Sequence, residues 1–153
     1  MKLWVVLARA HAAVGEHSRI DIGRHDLTPA EFGVLELLYH KGPQLLGEVQ
    51  KKVLVSSGGI TFLVDRLTKS GLVERLACPS DRRARYAALT KKGDRLMRDV
   101  FPDHAAAVRR AVSGLTLTEQ RALTVLLKRV GTEAARLAAE TPECRKALLA
   151  LEA

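Results

Sequence analysis

The sequence predicts a mainly α-helical chain carrying one small β-hairpin. Three observations point that way. Apolar residues recur every three or four positions through most of the chain, the period of one helix face. Thr28-Pro29-Ala30-Glu31 is a strong helix start. Two short runs, Leu72 to Leu76 and Arg85 to Leu89, enclose a polar, arginine-rich tip, as strands flank a hairpin loop.

Leu3, Val6, Leu7, Ala10 and Val14 place a first helix from about Leu3 to Ile20, with Gly15 a mild weakness within it. Its apolar stripe is wide. That breadth on a terminal helix calls for burial against more than one neighbour, and in a small chain the second neighbour can be another subunit. The second helix starts with Thr28 as N-cap, Pro29 at the first helical position and Glu31 closing a capping box. It runs to about His40 with Phe32, Leu35, Leu38 and Tyr39 on one side, and Lys41-Gly42-Pro43 ends it. A short third helix covers about Leu45 to Val53 through Leu46, Val49 and Val53. Ser56 caps a fourth, about Ser57 to Ser70, which turns Ile60, Leu63, Val64 and Leu67 inward and Thr61, Asp65, Arg66 and Lys69 outward; Gly71 stops it. After the hairpin, Thr90 caps a long helix from about Lys91 to Ser113, in which Pro102 is expected to cause a kink or a break. Thr118 with Glu119 is expected to open the last helix, which runs to about Ala139 with Leu123, Leu126, Leu127, Val130, Ala134 and Leu137 in another wide stripe. The tail from Thr141 to Ala153 reads as a short helix.

Two short helices joined by a tight turn, a glycine-stopped helix and then a hairpin with arginines at its tip follow the plan of a winged helix-turn-helix. In that plan one helix braces another across a phosphate backbone, and the second fits the major groove. The chain of 153 residues reads as one folding unit, with positions 27–90 as the winged helix-turn-helix and positions 1–22 and 91–140 as dimerisation helices. A formal charge of +8, from 25 Lys and Arg against 17 Asp and Glu, suits a polyanionic partner. A membrane surface is disfavoured, because only 4% of residues are aromatic and no basic amphipathic anchor is present. The apolar start of the chain is broken by Lys2, Arg9 and His11, unlike a signal peptide, and no stretch is long enough to span a bilayer, so a bacterial-type cytoplasm is expected.

The chain resembles the MarR family of transcriptional regulators from Leu3 to about Ala139. Leu27-Thr28-Pro29-Ala30-Glu31-Phe32 is similar to that family's opening of helix two, and Val55-Ser56-Ser57-Gly58-Gly59-Ile60-Thr61 to its recognition-helix start. Leu67-Thr68-Lys69-Ser70-Gly71-Leu72-Val73-Glu74-Arg75 matches its passage into the wing. Asp81-Arg82-Arg83-Ala84-Arg85-Tyr86-Ala87-Ala88-Leu89-Thr90 resembles its DxRxxxVxLT signature, with Ala87 in place of valine. Gln50, Leu54 and Phe62 depart from the family's usual alanine, turn glycine and polar groove-facing residue. The resemblance implies a homodimeric regulator, a repressor on a palindromic double-stranded operator, released by a small aromatic or anionic effector. No ligand for that effector is assigned, since Trp4, His11 and Arg19 are too weakly indicated.

Within the motif, Ser56, Ser57 and Thr61, with the backbone of Gly58 and Gly59, are placed to approach base edges and phosphates. Two helical glycines cost about 1 kcal/mol each, which close approach to DNA would offset; a loose first turn is the other reading. Phe62 either meets a thymine methyl or packs on its own wing. Arg66 and Lys69 suit phosphate contacts. At the wing, Arg82, Arg83 and Arg85 stand beside Asp81, and an arginine on a tight turn is suited to the negative potential of a narrow minor groove. The resemblance makes Arg83 the inserted residue and Asp81 its brace.

Other chemistries find little support. His11, His17, His25, His40 and His104 show no i, i+4 pair, so neither a metal site nor a cofactor is expected. Cys78 and Cys144 form no CxxC; Cys78 beside the wing arginines would support a redox-responsive regulator only if its thiolate were stabilised, and an inert thiol is favoured. The chain lacks a P-loop, a dinucleotide glycine fingerprint, an HExxH and a nucleophile elbow, which argues against an enzyme. A winged-helix protein adaptor is the remaining alternative, and the wing arginines argue against it.

Overall fold

The computed structural model of the chain describes residues 1–53, 57–77 and 85–140. Among these the helices are α1 (Lys2–Gly23), α2 (Pro29–Lys41), α3 (Leu46–Val53), α4 (Ser57–Lys69), α5 (Lys91–Ala111) and α6 (Leu117–Ala139). The strands are β1 (Gln44–Leu45), β2 (Val73–Ala77) and β3 (Arg85–Leu89), in one antiparallel sheet of order β1-β3-β2. Two compact units divide the chain, Met1–Ala111 and Val112–Ala153. Among the described residues no helix is long and apolar enough to cross a membrane.

The first unit is built on α2 and α4. The capping box at the start of α2 is formed: Thr28 accepts from the Glu31 N–H at 3.3 Å, and the Glu31 carboxylate accepts from the Thr28 N–H at 2.9 Å. Phe32, Val34, Leu35 and Leu38 then enter the core, where they meet Val49 of α3, Ile60, Leu63, Val64 and Leu67 of α4, Val73 and Ala87 of the strands, and Met97 and Val100 of α5. The apolar period of α4 is thus buried as its sequence requires, and Thr61, Phe62 and Lys69 stay outside.

Leu45, expected in the third helix, belongs instead to β1. Gln44 and Leu45 pair with Ala87 and Tyr86, so the hairpin gains a third strand. Two residues carry no readable period, and this pairing is decided by the distant β3. The hairpin itself pairs Val73 with Leu89 through to Ala77 with Arg85; β2 begins at Val73, one residue after the expected Leu72.

Helix α4 ends in a Schellman turn. Gly71 takes φ +70°, its N–H donates to Thr68 O at 2.9 Å, and the Leu72 N–H donates to Leu67 O at 2.9 Å. The start of α5 grips this turn. Thr90 N–H donates to Leu72 O at 3.1 Å, Thr90 Oγ1 donates to Gly71 O at 2.6 Å, and Lys92 Nζ donates to Ser70 O at 2.8 Å. Thr90 Oγ1 also accepts from the Gly93 N–H, the cap expected of it. Helix α5 continues through Pro102, so of the expected kink or break the break does not occur. Proline removes one ladder bond, while Met97, Val100, His104 and Ala107 remain buried on both sides of it.

Helix α1 joins this unit at its C-terminal end. Ile22 is in the core, and Asp21, only 5% exposed, meets His104 of α5 at 3.1 Å between Oδ2 and Nδ1. The His104 ring lies 4.3 Å from that of Phe32. The remainder of α1 keeps large apolar side chains exposed, including Leu3, Trp4 and Val6.

In the second unit the cap of α6 is Thr116, not Thr118. Thr116 accepts from the Glu119 N–H at 3.3 Å, and Glu119 accepts from Thr116 N at 2.8 Å and from Thr116 Oγ1 at 2.7 Å. The physical reason is spacing: only a residue three before Glu119 closes a capping box. Helix α6 buries none of its residues, so Leu123, Leu126, Leu127, Val130 and Leu137 are exposed.

Two outcomes follow. A Cβ on Gly93 would lie 2.1 Å from Leu72 O, a backbone atom, so Gly93→Ala is expected to cost about 3 kcal/mol or more, the upper end of overpacking. Urea unfolding followed by circular dichroism measures this, and a wild-type midpoint would contradict it. The Thr116 bonds hold the Glu119 carboxyl below the usual glutamate value. A depressed carboxyl stabilises the α6 cap above its unfolded-state pKa, and that contribution fades as pH falls through the lower folded value. In a carbon-detected NMR titration Glu119 should titrate below an ordinary glutamate, and Thr116→Ala should return it upward.

Candidate nucleic-acid interface

The outward face of α4 follows from its buried one. Successive residues turn about 100° around a helix, so with Ile60, Leu63, Val64 and Leu67 inward the opposite stripe carries Phe62 and Lys69 at its centre. Thr61 and Asp65 lie on one flank of that stripe, Gly59 and Arg66 on the other. Phe62 is 61% exposed, an apolar ring left on a polar face. Ser57, Gly58 and Gly59 form the first turn of α4. Ser56, the expected cap, lies outside the described residues.

Two ion pairs hold the flanks. On one side Arg66 Nε meets Glu31 Oε1 at 3.0 Å, with the Glu31 side chain 5% exposed and that of Arg66 48% exposed. Glu31 therefore does two tasks. Its Oε2 accepts from Thr28 N and Thr28 Oγ1, and its Oε1 receives the guanidinium, so the N-cap of α2 and the middle of α4 share one buried carboxylate. On the other side Arg75 Nη2 of β2 meets Asp65 Oδ1 at 2.9 Å. Exposed pairs of that kind contribute about 0.2–1 kcal/mol, so this bond orients the wing strand more than it stabilises the fold.

The hairpin follows directly, its strands anchored at Val73, Ala87 and Ala88, which are buried. Arg85 opens β3 with its side chain exposed, while Asp81, Arg82, Arg83 and Cys78 lie outside the described residues. Of the residues expected to face DNA, then, Thr61, Phe62, Arg66 and Lys69 are exposed on α4, and Arg85 pairs with Ala77 at the end of the hairpin strands away from the buried Val73. The sequence reading missed the two ties. Glu31 was legible only as a cap and Arg75 only as a strand residue, because neither partner is near in sequence.

A small sheet beside an exposed helix, with cationic side chains on the helix and at the outer end of the hairpin strands, is the geometry of a winged helix-turn-helix. Comparison with known proteins agrees. The MarR family model matches residues 27–84. The HTH-type transcriptional regulator MhqR of Bacillus subtilis is 46% identical over 134 residues, covering 88% of this chain and 92% of its own. Among solved structures, Sco3205, a MarR family regulator from Streptomyces coelicolor in complex with DNA, aligns with a TM-score of 0.80 at 28% identity, covering 86% of this chain and 88% of that one. BpsR of Bordetella bronchiseptica, whose DNA binding is regulated by 6-hydroxynicotinic acid, aligns with a TM-score of 0.77 at 25% identity over 86% of this chain and 99% of that one. The family consists of transcriptional regulators rather than enzymes. This chain belongs to the MarR family and is a DNA-binding transcriptional regulator.

Proposed function

We propose that the chain acts as a homodimeric repressor on a palindromic operator and leaves it when a small aromatic or anionic effector binds. The observation that carries this reading is the exposed face of α4 with Arg66 and Lys69, followed in the chain by a hairpin whose sequence contains Arg82, Arg83 and Arg85. Helix α4 enters the major groove, where Thr61 and Phe62 meet base edges, Ser56, Ser57, Gly58 and Gly59 approach with their backbone, and Arg66 and Lys69 engage phosphates. The wing places Arg83, braced by Asp81, in the minor groove, with Arg82 and Arg85 on its walls.

A single lobe of this size reads few base pairs, and useful affinity requires two. The exposed apolar side chains on α1 and α6 support self-association, since a monomeric soluble protein seldom leaves so many large apolar groups in water. Helices 1–22 and 91–140 form the dimer in this reading, around winged helix-turn-helix lobes of residues 27–90. Two-fold symmetry then sets the recognition helices one turn of DNA apart, about 34 Å. Release follows if an effector favours a spacing that no longer fits the grooves. That DNA binding by BpsR is regulated by 6-hydroxynicotinic acid supports the effector class. Such a regulator works beside the chromosome, in the cytoplasm of a bacterial cell.

Selection from random duplex DNA is expected to return a palindrome with half-sites about 10 base pairs apart. On that site Arg83→Ala should weaken binding about tenfold and flatten its salt dependence, because cationic contacts release counterions. Light scattering at micromolar concentration should give twice the chain mass. A monomer, or an unchanged salt slope in the Arg83 variant, would refute the reading.

A further inference from the structure

Glu31 sits in a helix cap, yet its geometry reaches beyond capping. A cap needs one carboxylate oxygen, and Oε2 alone takes both the Thr28 N–H and the Thr28 hydroxyl. The second oxygen receives Arg66 Nε at 3.0 Å. The ion pair is closest at Nε, so it draws that edge of the guanidinium to the acid and leaves the two Nη groups as donors that this contact does not use. Arginine is the side chain suited to such a position, because its planar fork can serve an acid on one edge and an oxyanion on the other, whereas a lysine ammonium is a single point charge. The acid is buried and the arginine half exposed, so the guanidinium is held at the base and open toward the flank of α4 that carries Gly59 and Arg66.

We propose that Glu31 is a positioning residue for DNA binding: it holds the Arg66 guanidinium as a preset clasp for one backbone phosphate in each half-site. This rests on the reading that the outward face of α4 meets DNA. The gain is in ordering. A free surface arginine loses rotamer freedom when it takes a phosphate, and here that loss is already met in the unbound protein. Asp65 on the opposite flank strengthens the contrast, since its pairing with Arg75 neutralises the one acid on the outward face of α4 that would repel a phosphate.

The test is a set of variants measured on the selected operator across a salt series, with circular dichroism to verify folding. Arg66→Ala should reduce the magnitude of the salt slope by about 2, one lost phosphate in each half-site of a dimer at about 0.9 apiece. Glu31→Gln keeps an oxygen for Thr28 but removes the charge that seats Arg66; it should weaken binding about five- to tenfold, the scale of ordering one side chain in each lobe. Glu31→Gln in the Arg66→Ala background should have no further effect on affinity. Arg66→Lys, which leaves the cap untouched, should show the slope of Arg66→Ala, because an ammonium drawn in to Glu31 has no planar fork whose second edge could present itself to a phosphate. The proposal is overturned if Glu31→Gln binds as well as or more tightly than wild type, if its effect persists without Arg66, or if Arg66→Lys keeps the wild-type slope. Loss of the parent reading looks different: wild-type protein then fails to bind any duplex at low salt.

Discussion

The grip of α5 on the end of α4 is the constraint from which the DNA-binding lobe takes its shape. Three consecutive carbonyls, those of Ser70, Gly71 and Leu72, accept from Lys92 Nζ, Thr90 Oγ1 and the Thr90 N–H. Carbonyls at a helix end have no partner within the helix and cost free energy if buried unpaired. Here they find donors at the start of the next long helix. The end of α4, the residue before β2 and the last residue before α5 are thereby held together, and Gly93 has no side chain to keep them apart.

From that fixed point α4 is secured along its length by two kinds of force. Its inner stripe supplies the larger, burying Ile60, Leu63, Val64 and Leu67 against α2, α3 and β2; each such side chain contributes about 1.5–3 kcal/mol. Its flanks supply the directional part, through Glu31 on one side and Arg75 on the other. Apolar burial does not specify rotation finely, since a helix can roll by some degrees with little loss of area. Opposed ion pairs resist that roll, and the rotational setting of α4 decides which side chains its outward face presents.

How much of this was legible depended on range. The capping box at Thr28, the stop at Gly71, the Thr90 cap and the buried period of α4 all depend on neighbours within a few positions, and the chain spells them out. Thr116 was equally readable, three residues before Glu119, but Thr118 lies beside the same glutamate and draws attention to the wrong threonine. Strand β1 was not readable, because Gln44 and Leu45 become a strand only through Ala87 and Tyr86. The outward side chains of the candidate interface could be assigned from periodicity alone. The pairing of Arg66 with Glu31 could not, for no local pattern announces a contact between the first turn of one helix and the third turn of another. The broad apolar stripes of α1 and α6 were visible in sequence, and exposure of their large side chains is how the structure expresses them.

The meeting of Asp21 with His104 has a mechanical consequence. Both groups lie out of water, with Phe32 against the imidazole, and Asp21 Oδ2 meets His104 Nδ1 while its other oxygen faces Arg24 at 3.8 Å. Were α1 to slide along α5 by a helical turn, the imidazole would lose its partner, at about 1–3 kcal/mol, and Asp21 would keep only Arg24. The pair therefore behaves as a detent: small tilts of the two rods are cheap, translation past the notch is not, and motion that begins in one helix is handed to the other as rotation about that tooth.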